Sequence, residues 1–226
     1  MRLPRLAAAM LAVVALSLTG CSRLVDGTAQ ANGSRPGTEV TGDGWGIRIG
    51  YPDARVQIEF FTEPQCPACA QLQHESGDDL ARAVATGDLA VTYRPLTFLD
   101  RTGTDYSARV ANALFLAVAP ATTGAAFQAF VGDLWGHQGP EGSAGPSDAA
   151  MAAMATDSGI AAEQADRIAA GTTIIDADQL TDANADLLGS TTFQVGTPTI
   201  YNLIDDEVVD HFDPEWLDKL LAARIG

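Results

Sequence analysis

Twenty-nine acidic residues against thirteen lysines and arginines give this 226-residue chain a formal charge of −16. A surface that acidic repels phosphate backbones and anionic headgroups, which excludes nucleic-acid binding and docking through a polybasic patch. The length suits one domain with a full core, or one domain carrying a large insertion.

Arg2 and Arg5 precede an apolar run, Leu6 to Leu18, that is too short to span a bilayer with ease and reads as the core of a secretory signal, residues 1–20. Leu18-Thr19-Gly20-Cys21 resembles the lipobox of bacterial lipoproteins, in which cleavage precedes the cysteine and lipid chains are attached to it. Acylated Cys21 would hold the protein at a membrane by burying methylenes. With the signal removed the formal charge becomes −18, since Arg2 and Arg5 leave with it. Of three cysteines, only Cys66 and Cys69 then remain for redox chemistry, an even pair of the kind an oxidising compartment permits. Residues 21–44 are rich in Ser, Gly, Thr, Ala and Asn without apolar periodicity, and predict a flexible tether ahead of a domain over 45–226.

Trp45 to Ile49 alternates weakly and predicts an edge strand. Val56 to Phe61 predicts a strand covered on both faces. Glu59 interrupts its apolar run and has two readings: a residue at the strand's wetter end, or a buried carboxylate that relays protons near the cysteines. A short polar turn then delivers Cys66-Pro67-Ala68-Cys69 to the start of a helix running to about Val84. Two thiols three positions apart on a helix face the same way and can form a disulfide. That ring of about four residues stabilises the fold little, so exchange chemistry explains the pair better than a staple. The helix start carries roughly half a positive charge and unpaired N–H groups, which favour a thiolate. Cys66, nearer that start, is the nucleophile of choice, and Pro67 fits the first helical position. His74, off the Leu72 and Leu80 stripe, reads as a solvent-facing residue.

Leu89 to Leu96 alternates as a strand, so strand, helix and strand form a βαβ unit with a parallel pair as the default. From 101 to 193 the chain turns Ala-rich with helical spacing. Helices are predicted over 106–118, 125–135, 147–156, 161–170 and 176–188, together a helical insertion whose apolar faces need the sheet. A zinc site on Cys66 and Cys69 would need two of His74, His137 and His211 to converge, whereas structural zinc sites draw on two closely spaced pairs. Strand chemistry returns in 199–204 and 208–212, separated by Asp205-Asp206-Glu207. Asp213-Pro214 then opens a last helix with Trp216, Leu217, Leu220, Leu221 and Ile225 on its apolar face.

The stretches F-F-T-E-P-Q-C-P-A-C at 60–69 and V-G-T-P-T at 195–199, with D-Y-S-A-R-V-A-N-A-L-F at 105–115, resemble the thioredoxin superfamily and, within it, the DsbA-like thiol-disulfide oxidoreductases. The resemblance implies an α/β thioredoxin fold, a central mixed sheet flanked by helices, with an α-helical insertion. It implies that Pro198 follows a cis peptide bond and faces the disulfide, leaving the main chain of Thr197 to pair with an extended substrate. The implied activity is dithiol-disulfide exchange, Cys66 attacking or being attacked and Cys69 resolving, with no metal or organic cofactor. The implied partners are exported proteins with cysteines and a quinone-linked membrane oxidoreductase that resets the disulfide. Strong oxidants of this group carry a histidine between the cysteines; Pro-Ala in its place predicts a higher Cys66 pKa and a less oxidising pair. A donor of disulfides is the leading expectation. A reductase or isomerase using the same cysteines, and a lipid-anchored binding module with an inert bridge, stand as alternatives.

Overall fold

The computed structural model describes residues 35–223 except Thr102, Phe193 and Gln194. The signal, Cys21 and most of the expected tether lie outside the described residues, as does Ile225.

Strand β3 (Val56–Thr62) is the centre of the sheet. Apart from Gln57 every residue in it is buried, which is why its pattern is a near-continuous apolar run. It pairs in parallel with β4 (Leu89–Pro95), Val56 opposite Leu89 and Thr62 opposite Pro95. Helix α1 (Pro67–Thr86) makes the crossover between them and ends on Gly87 at φ 83°. On the far side of β4 lie β2 (Ile47–Gly50) and then β1 (Gly37–Val40), both antiparallel. On the other side of β3 come β5 (Thr199–Asn202) and β6 (Glu207–Val208), also antiparallel. The six strands run in the order β1-β2-β4-β3-β5-β6.

Between β4 and β5 the chain forms α2 (Tyr106–Ala117), α3 (Gly124–Gly136), α4 (Asp148–Asp157), α5 (Ala162–Ala169) and α6 (Ala177–Thr191). Thr123, Ser147 and Asp176 cap α3, α4 and α6 through their side chains, each satisfying an N–H that the first turn leaves free. Val110 and Leu114 of α2 and Phe127, Phe130 and Val131 of α3 share one core with Ile58 and Phe60 of β3. Phe61, Leu96 and Tyr201 meet Leu188 of α6 in a separate, smaller cluster. The last helix, α7 (Trp216–Ala222), is tied to α1 by the Trp216 indole N–H, which donates to Ser76 Oγ at 3.2 Å.

Three expectations need correction. Gly37–Val40 is a strand and not tether: it holds β2 through its main chain, and Gly124 donates its N–H to Pro36 O at 2.7 Å. Main-chain pairing leaves no apolar pattern, so composition gave no sign of it. Trp45 to Ile49 accordingly leads into the second strand from the edge. The hairpin strands are shorter than expected because Asn202 starts the turn early, its Oδ1 accepting from Ile204 N at 3.0 Å and its Nδ2 donating to Asp205. His211 and Phe212 therefore lie beyond the strand, in the link to α7.

Candidate redox site

The loop Glu63-Pro64-Gln65 carries the chain from the end of β3 to Cys66, the N-cap residue of α1, with Pro67 opening the helix. Cys66 O accepts from Cys69 N at 3.0 Å and from Ala70 N at 3.2 Å, the first turn of the helix. Cys66 is part-buried, while Cys69 is fully buried behind it, and the two are unbridged. The peptide bond before Pro198 is cis, as the resemblance implied. In its thiol form Cys66 donates to Thr197 O at 3.4 Å, so Thr197, 131 residues away in sequence, and Pro198 after it stand at the Cys66 sulfur.

The two thiols are driven apart in acidity. A hydrogen bond from the Cys69 thiol pulls Cys66 down to about 5, against the cost of burial; the main-chain N–H groups of Cys69 and Ala68 and the Thr197 side chain add to it. Burial pushes Cys69 far up, and the neighbouring Cys66 charge reinforces this. At neutral pH the pair is one thiolate and one thiol that hydrogen-bonds to it. The expected loss from having Pro-Ala between the cysteines is thus offset by donors within the CxxC turn itself.

Glu59 is buried, which overturns the wetter-end reading, but its carboxylate is taken by Arg94, whose Nε donates to Oε1 at 2.8 Å. Arg94 also pairs with Asp43 at 2.6 Å. The carboxyl held beside the thiols is that of Glu63, which sequence reasoning passed over as part of a polar turn. Glu63 is fully buried, accepts from the Ser107 hydroxyl and, at 2.8 Å, from Gln65 N, and burial pushes it up to about 7, with the Cys66 charge acting in the same direction. Gln65 donates to Asp100 and to Ser107 Oγ, both at 2.9 Å, and accepts from Gly142 N at 2.7 Å. Gln138 donates to Pro64 O at 2.8 Å and to Cys66 O at 3.0 Å. The insertion thereby fixes the loop that aims Cys66. A signal was present in Glu63-Pro64-Gln65: two polar side chains locked between a buried strand and a helix cap have little room to reach solvent.

Beside Cys66 a groove of about 550 Å³ is lined by Ala68 and Leu72 of α1, by Pro198, and by His211, Phe212 and Trp216. Phe212 is 86% exposed, with its ring 4.4 Å from that of His211. His74 and His137 are exposed and belong to neither the groove nor the thiol pair.

A thioredoxin family model matches residues 43–223. Serine/threonine-protein kinase PknE of Mycobacterium tuberculosis is 31% identical over 183 residues, 78% of this chain and 31% of the kinase. The chain thus spans about a third of the length of the curated relatives it matches. Among solved structures, the MdbA thiol-disulfide oxidoreductase of Corynebacterium diphtheriae superposes with a TM-score of 0.66 at 25% identity, covering 83% of this chain and 94% of that one. Its counterpart from Corynebacterium matruchotii gives 0.65 at 21%, covering 80% and 92%, and reduced DsbA of Mycobacterium tuberculosis 0.63 at 19%, covering 81% and 93%.

Proposed function

This chain belongs to the thioredoxin family, and from that premise we propose that it is an exported thiol-disulfide oxidoreductase that donates disulfides to cysteine-containing exported proteins. One arrangement carries the reading: Cys66 is part-exposed at the start of α1, and the buried Cys69 thiol and the main-chain N–H groups of Ala68 and Cys69 are placed to donate to its sulfur and favour the thiolate. Stabilising the thiolate stabilises the reduced form, and a pair whose reduced form is stabilised is an oxidant.

In the forward reaction a substrate thiolate attacks the Cys66 sulfur of the Cys66–Cys69 disulfide. Cys69 leaves with the electron pair and takes a proton, for which the nearby Glu63 carboxyl, at about 7, is suited near neutral pH. The second substrate thiolate then attacks the sulfur of the first substrate cysteine in the mixed disulfide, forming the substrate disulfide, and Cys66 leaves as a thiolate. Two electrons have passed from substrate to protein, and a quinone-linked membrane oxidoreductase removes them. The groove beside Pro198 receives the substrate segment, with Phe212 as an apolar contact and the Thr197 main chain as a pairing edge.

Residues 1–20 act as the signal and Cys21 as the lipid-bearing residue, with the tether ending ahead of β1. Cys21→Ser should release the protein from membranes into the soluble fraction; unchanged membrane retention would remove the lipid anchor from this account. The oxidant role is tested by equilibrating the protein with glutathione buffers. A reduction potential between about −120 and −180 mV is expected. A value near −270 mV would make the protein a reductase, and a pair that resists reduction would leave a binding module.

A further inference from the structure

Thr62 is the last residue of β3 and lies on the strand face of Ile58 and Phe60, since alternate residues of a strand share a face. Those two side chains belong to the core that also holds Cys69. The Thr62 side chain is fully buried, yet its hydroxyl has no hydrogen-bond partner. Its main-chain oxygen accepts from Leu96 N at 2.8 Å. Buried hydroxyls are nearly always paired, and an unmade bond at such a site lowers stability. The group placed to receive it is the Cys69 sulfur, whose ionised form the Thr62 hydroxyl and the Glu63 main-chain N–H both favour. In the reduced protein the hydroxyl makes no hydrogen bond to that sulfur, which as a thiol is a weak acceptor.

We propose that Thr62 is a catalytic residue, the donor that receives Cys69 as a thiolate when the disulfide opens. This rests on the exchange chemistry proposed above. When a substrate thiolate attacks Cys66, a bond forms between substrate sulfur and Cys66, the Cys66–Cys69 bond breaks, and Cys69 departs with the electron pair. Buried and far from water, that sulfur needs donors already in place. Thr62 O–H and Glu63 N–H supply two, and they hold the charge until a proton reaches Cys69. In the reverse direction the same donors stabilise the Cys69 thiolate that closes the ring.

The test compares oxidised wild type, Thr62→Val and Thr62→Ser in single-turnover reaction with a peptide carrying two cysteines, read by acid quench and alkylation, alongside thermal unfolding of the reduced proteins. Loss of a hydrogen bond to a charged group predicts disulfide opening about tenfold slower or more in T62V. T62S, which keeps the hydroxyl, should stay within about twofold of wild type on the same reasoning. A hydroxyl kept only for structure would make T62V less stable. Here its reduced form should unfold at the same temperature as wild type or higher, because an unsatisfied donor has gone. The proposal is overturned if T62V opens at the wild-type rate, if T62S is as slow as T62V, or if slowing follows a lower unfolding temperature. A wild type that does not react with the peptide would instead overturn the exchange function itself.

Discussion

Glu63 is an acid kept in the wrong place for its charge. Burial comes first among the causes that raise it to about 7, and the bonds from Ser107 and Gln65 N only partly offset it. In the unfolded chain the same carboxyl titrates near 4.3. Between these values the folded protein binds a proton that the unfolded one has lost, so stability falls as pH rises from about 4.3 to about 7 and is level beyond. Glu63→Gln abolishes that titration. The variant should gain up to roughly 3.5 kcal/mol on wild type at pH 8, a gain that vanishes by pH 4. Urea unfolding of both proteins across that range measures it; parallel pH curves would show that Glu63 is not held protonated by burial. The position thus lowers stability at neutral pH, as burial of a carboxyl does wherever its charge goes uncompensated.

At the scale of elements, what the sequence made legible was whatever buries side chains. The parallel β3–β4 pair, α1 with Cys66 at its start, and all five insertion helices stand within three residues of their expected ends, because apolar spacing and caps such as Ser147 and Asp176 set them. Elements held by the main chain left little trace: β1 has a polar sequence, and its pairing with β2 uses groups common to every residue. Long-range polar contacts were equally hidden. Nothing in Gln65 announces Asp100, Ser107 and Gly142 as its partners, and nothing in Arg94 announces Glu59, since such pairs exist only once the fold brings them together. Cys66, Cys69 and Pro198 were legible for the opposite reason, as spaced motifs whose chemistry requires particular residue types. Glu63 and Thr62 lie inside the same motif, but what sets them apart is burial, which a polar turn does not advertise.

For the molecule as a whole, the Cys66 thiolate links redox state to folding. An unfolded cysteine titrates near 8.5, and in the reduced native protein Cys66 is drawn down to about 5. A depressed acid contributes stability that is complete above the unfolded value and lost as pH falls through the folded one. Cys69, raised by burial, opposes this only above about 8.5, where the unfolded thiol ionises. The window from about 5 to 8.5 therefore reports Cys66 alone among the two. The oxidised protein has no thiolate and no such dependence from this pair. Closing the small ring adds an offset between the two forms, but one that does not change with pH. The stability of the reduced form relative to the oxidised form should accordingly fall by about 2 kcal/mol between pH 7 and pH 5. Denaturant unfolding of both forms at several pH values reads this directly. A constant difference would mean that Cys66 titrates as an ordinary thiol, and the thermodynamic cycle joining folding to reduction would then leave the disulfide no more oxidising than an unstrained one. A difference that moves as expected ties the oxidising power of the pair to the start of one helix, without a histidine between its cysteines.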